Sequence, residues 1–109
     1  MDFAPLLQAI KKKEFAPVYL LHGEEPYFID QLEAAIEEHA LQEHERAFNQ
    51  TIVYGKDTEH LQVIDAARRF PMMAERQLVL LREAQEMRSI KQLVKYAENP
   101  SPTTVLVIS

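Results

Sequence analysis

A chain of 109 residues with 47% apolar and 27% charged side chains is the size of a single domain and far from the composition of a disordered segment. Twelve Lys and Arg against 17 Asp and Glu leave a net charge of -5, which argues against unaided nucleic-acid binding, because such domains carry a basic excess to displace phosphate counterions. The absence of cysteine excludes disulfides, thiolate metal sites and cysteine nucleophiles, and it fits a reducing, cytoplasmic setting.

Residues 3–13 place Phe3, Leu6, Leu7 and Ile10 at helical spacing and close on Lys11, Lys12 and Lys13, which suit the negative end of a helix dipole. With Asp2 and no basic flank ahead of it, this start reads as neither signal peptide nor anchor, and no apolar stretch reaches the roughly 18 residues that span a bilayer. Pro17 opens an apolar run, 18–21, that predicts a buried strand ended by His22-Gly23. From Pro26 to about residue 45 the pattern is helical, with Ile29, Leu32, Ile36 and Ala40 on one stripe. Residues 48–54, from Phe48 to Tyr54, predict a second strand, with Asp57 and Thr58 ready to cap the helix that follows. That helix, 59–69, places Leu61, Ile64 and Ala67 or Arg68 inward and stops at Phe70-Pro71, since a residue before proline avoids helical geometry.

A third strand is predicted over 78–81, a helix over 87–97 with Ile90, Leu93, Val94 and Ala97 inward, and a β-branched fourth strand over 103–108. Strands that are apolar on both faces and alternate with helices imply an α/β domain in three layers, a parallel sheet covered by helices. A chain stopping at Ser109 reads as incomplete at its C-terminus, with a bare hydrophobic edge that would invite self-association.

The turn of Gly23, Glu24 and Glu25 lies between a strand and a helix, where nucleotide-binding α/β folds hold phosphate. Its residues are wrong for phosphate, because a phosphate loop needs a second glycine followed by Lys and Ser or Thr, and two glutamates repel the anion. A hydrolase would also want a strand ending in carboxylates, and Leu81-Arg82-Glu83 puts a cation there. The expected nucleotide site is therefore degenerate, with no catalytic residues, no cofactor and no metal. His22, His39, His44 and His60 show no ligand spacing. The informative stretch is 68–77, where Phe70, Met72 and Met73 interrupt a loop that should be polar, among Arg68, Arg69 and Arg76. Two readings stand: a wedge for a hydrophobic pocket on a partner, methionine being adaptable at binding surfaces, or a cap on the core beneath the sheet.

Two blocks carry a resemblance. Residues 17–28, from Pro17-Val18-Tyr19 to Pro26-Tyr27-Phe28, and residues 70–79, Phe70-Pro71-Met72-Met73-Ala74-Glu75-Arg76-Gln77-Leu78-Val79, together resemble the N-terminal domain of the delta subunits of bacterial DNA polymerase III clamp loaders. The resemblance covers essentially all of residues 1–109. It implies an AAA+-like domain with a decayed nucleotide site, and a non-catalytic subunit that binds and opens the β sliding clamp for loading on primed DNA. It implies that Phe70, Met72 and Met73 form the clamp wedge, Met72-Met73 departing from the commoner Leu-Phe or Met-Phe. Other clamp-loader subunits and DNA would be reached only through helical domains beyond these residues. The alternatives from other classes are a small nucleotide hydrolase of P-loop-like fold and a purely structural α/β domain.

Overall fold

The computed structural model describes residues 3–22 and 25–109. Four strands, β1 (Val18–Leu20), β2 (Gln50–Tyr54), β3 (Gln77–Arg82) and β4 (Thr104–Ile108), form one all-parallel sheet in the order β1-β4-β3-β2. β3 and β4 are buried along almost their whole length because helices cover both faces, which is why they read as continuous apolar runs rather than as an alternation. On one face, Ile10 of α1 (Phe3–Lys11) and Leu32, Ala35 and Ile36 of α2 (Pro26–Ala40) meet Leu78, Leu80, Val105 and Val107. On the other, α4 (His60–Ala67) and α5 (Val94–Glu98) bring Val63, Ala67 and Tyr96 onto Val79, Leu81 and Leu106. These are the three layers that the alternation of elements implies.

Several expectations are corrected. β4 is an interior strand between β1 and β3, so the apolar segment 104–108 offers no bare edge; the strands with one partner are β1 and β2. The second helix stops at Ala40, since Leu41 is extended and turns its side chain into the core. A short 3₁₀ turn, Glu43–Glu45, and the brief helix α3 (Arg46–Asn49) then carry the chain to β2, so Phe48 lies on a helical turn and not in the strand. α4 is rotated from the expected phase: Val63, Ala66 and Ala67 are buried and Leu61 is exposed, the small alanines letting the helix approach the sheet. Its capping residue is Glu59, paired with Gln62 in a reciprocal box, rather than Asp57 or Thr58.

The segment before β4 differs in period. Met87, Leu93 and Tyr96 are buried with Ile90 against them, while Val94 is exposed. Residues 90–93 form a 3₁₀ helix and α5 begins only at Val94, so of the expected inward residues Ile90 and Leu93 pack inward, three positions apart, while Val94 and Ala97 are exposed and Tyr96 is buried instead.

Two backbone details hold loops in place. Lys13, with φ of 62°, ends α1 in the left-handed position usually given to glycine, and the bonds Lys13 N–H to Ile10 O and Glu14 N–H to Ala9 O complete a Schellman motif. The lysine run is thus a helix end in which the middle carbonyls are satisfied by the backbone. At the other end of the sheet, Gly55 is obligatory, because a Cβ there would run into the Glu83 carbonyl.

Candidate protein-binding site

Parallel pairing brings the residues that precede β2, β3 and β4 to one end of the sheet. Among the described residues, three of the four buried polar side chains lie there in a row: Asn49, Gln77 and Thr104. Gln77 and Thr104 are register partners in β3 and β4. Gln77 Nε2 lies 2.8 Å from Ala66 O, 2.8 Å from Arg69 O and 2.9 Å from Thr104 Oγ1, so its two hydrogens are shared among three acceptors, while the Thr104 hydroxyl donates to Ala67 O at 2.6 Å. Ala66 O and Ala67 O belong to the last turn of α4, where carbonyls run short of intrahelical donors, and Arg69 O lies in the loop just beyond it. The side chains therefore cap α4 and fix the point from which the next loop departs.

That loop, residues 68–76, carries its apolar groups outward. Phe70 is 87% exposed, Met72 61% and Met73 99%, so none of them caps the core. Met73 also has φ of 55°, a left-handed conformation that costs an L-residue roughly 1 kcal/mol or more and is characteristically kept at functional positions. Asn49, 3% exposed, holds the loop from beside it: Met72 N–H donates to Asn49 Oδ1 at 2.7 Å and Asn49 Nδ2 donates to Met72 O at 2.9 Å. Arg76 anchors the far side, donating to Ala40 O at 3.3 Å with its guanidinium 4.8 Å from the Phe15 ring centre. Phe48, 73% exposed, stands next to the methionines, and His44, Phe48, Met72 and Met73 line a shallow apolar depression. Neither Phe48 nor Asn49 is singled out by sequence reasoning. Phe48 reads there as a strand residue, and the partner of Asn49 lies 23 positions along the chain.

The carboxyl end of the sheet, where open α/β folds bind ligands, is built differently. Gly23 and Glu24 of the expected phosphate loop lie outside the described residues; Glu25 is exposed before α2 and makes no side-chain cap. The crevice at the ends of β1 and β4 is lined by Leu20, Leu21, Ile29, Ile90 and Ile108 with His22, and among the described residues no Lys or Arg faces it. Arg82, at the place that a metal-binding carboxylate would take, donates to Glu37 Oε1 at 2.9 Å and lies 3.6 Å from Glu33. Burial works against its charge but is outweighed by the Tyr54 hydroxyl and the Glu33 and Glu37 carboxylates, which raise its pKa above the ordinary value. Among the described residues no three His, Asp or Glu side chains gather as a metal site.

This arrangement can present an apolar tip to another protein, and at the opposite end Arg82 is paired with Glu33 and Glu37. Comparison with known proteins gives a family and relatives. A family model described as "DNA polymerase III, delta subunit" matches residues 19–109. A protein of Bacillus subtilis named DNA polymerase III subunit delta is 27% identical over 111 residues, covering 93% of this chain and 32% of that protein. The solved structure of a Bacillus subtilis DNA clamp loader delta protein superimposes with a TM-score of 0.86 at 26% identity, over 98% of this chain and 34% of that one. The chain spans about a third of the length of these relatives.

Proposed function

Since the chain belongs to the DNA polymerase III delta-subunit family, we propose that it binds the ring-shaped β sliding clamp through Phe70, Met72 and Met73 and helps to open one of the clamp's interfaces for loading on primed DNA. The observation that carries this reading is the exposure of three large apolar side chains on a single loop whose backbone is tied down by buried polar groups. Apolar side chains held out in water on a fixed backbone are suited to a preformed pocket, because little ordering entropy is left to lose on binding. The chain acts without catalysis of its own: glutamates stand in the phosphate loop, and Arg82 with its two carboxylates fills the metal position. Contacts with other clamp-loader subunits and with DNA are assigned to the parts of the relatives that this chain does not cover, and the complex works in the cytoplasm. No helix among the described residues is long and apolar enough to cross a membrane.

The test is the double substitution Met72→Ala, Met73→Ala, with binding to the purified β clamp of the same bacterium measured by surface plasmon resonance. Truncating buried anchors costs ~2 kcal/mol or more, about a thirtyfold loss of affinity, while exposed side chains shift stability by only ~0.5 kcal/mol. Folded protein with unchanged affinity would remove the wedge from these residues.

A further inference from the structure

Resting on that reading of the tip, we propose that α3 is its second half: Asn49 is the residue that positions the wedge, and Phe48 enters the same clamp pocket beside Met72 and Met73. Along 70–75, among the described residues, the backbone makes only two hydrogen bonds within the protein, and both go to the Asn49 amide. One side chain thus satisfies the donor and the acceptor of Met72, as a neighbouring strand would, and its second Nδ2 hydrogen returns to Glu45 O at 3.0 Å. That last bond ties the wedge to the turn from which α3 grows. The chemistry is specific to asparagine. Aspartate has no donor for the two carbonyls, glutamine is a methylene too long, and leucine would leave both Met72 groups and Glu45 O without the side-chain partner.

The residue before it is not a core residue. Phe48 touches no core cluster and is 73% exposed, yet the short helix that buries Asn49 necessarily turns Phe48 toward the methionines with which it lines one depression. An aromatic ring of two χ angles, held beside flexible methionines, is the kind of anchor that dominates interface energetics. The partner surface is therefore a hydrophobic pocket broad enough for an aromatic ring as well as the methionine pair.

Binding of the β clamp by Phe48→Ala, Asn49→Ala, Asn49→Asp, Met72→Ala and the pair Asn49→Ala with Met72→Ala, each with a thermal melt, tests this. Phe48→Ala is expected to weaken binding about tenfold with an unchanged melt; wild-type affinity would take Phe48 out of the contact. Asn49→Ala and Asn49→Asp are each expected to weaken binding by about tenfold, and Asn49→Ala, which removes the acceptor of the Met72 N–H, to speed hydrogen exchange of that amide as well. The loss from Asn49→Ala should shrink when Met72 is already alanine, because groups that act through one another are not additive. A loss that is the same in both backgrounds, or that only follows the melting temperature across the two Asn49 variants, would make Asn49 a residue of the fold alone. If Met72→Ala itself binds like the wild type, the wedge reading falls first and Asn49 has nothing to position; if only the Asn49 and Phe48 arms fail, the wedge stands without α3.

Discussion

The two ends of β3 solve opposite problems. At its start, Gln77 and the neighbouring Asn49 and Thr104 use buried hydrogen bonds to hold apolar side chains out in water. At its finish, Arg82 gathers Glu33 and Glu37 so that charges which could meet a ligand meet each other. Polar groups engaged with the protein itself are structural wherever they lie, and the most exposed large apolar side chains among the described residues, Phe48, Phe70 and Met73, stand at the amino end of the sheet. In a fold whose carboxyl end is the usual place for ligands, the candidate site has moved to the opposite edge.

The strongest way to break this contrast is to remove a tie. Gln77→Leu removes the side-chain donor from Ala66 O, which keeps a backbone N–H, and from the part-buried Arg69 O, and is expected to cost about 2 kcal/mol, read as a lower urea midpoint, with clamp affinity falling as the loop loses its anchor. An unchanged midpoint would mean that the row of polar residues does not hold the tip. Arg82→Met probes the other end: the guanidinium is partly exposed, so the loss should be about 1 kcal/mol and shrink with added salt. Clamp binding should be unaffected. A smaller change of opposite sign separates fold from function at a single position, because Met73→Gly removes the left-handed strain at the cost of backbone freedom and should raise stability by about 0.5 kcal/mol. The same variant should bind the clamp more weakly, and a fall in both quantities would show that Met73 is not strained for display. Calorimetric titration with ATP and magnesium should give no binding heat at all; micromolar affinity would make the carboxyl end a working site again.

Much of this architecture is legible in the residues. The apolar runs at 18–21, 78–81 and 103–108 are too short for helices and too continuous for a half-exposed sheet, so they specify buried parallel strands. Phe70, Met72 and Met73 stand out because a loop between proline and arginines has no local reason to be apolar. What stays hidden depends on partners distant in sequence. Asn49 looks like an ordinary residue at a strand start until the loop 23 positions later folds against it, and the β propensity of Phe48, one residue away, absorbs it into the predicted strand. Leu61 and Val94 read as inward because periodicity names a hydrophobic stripe but not its rotation about the axis. The alanines of α4 and the 3₁₀ turn before α5 set that rotation.

The strand order also dictates when the pieces can come together. β2 and β3 are adjacent in sequence as well as in space, but Val18 of β1 pairs with Leu106 of β4, with β2 and β3 lying between them in the sequence. During synthesis β1 must wait, unpaired, until β4 has emerged, and the closure entropy of that long loop is lost before any of its hydrogen bonds form. The wedge loop, lying between β2 and β3, can take shape earlier on the half of the sheet that closes first.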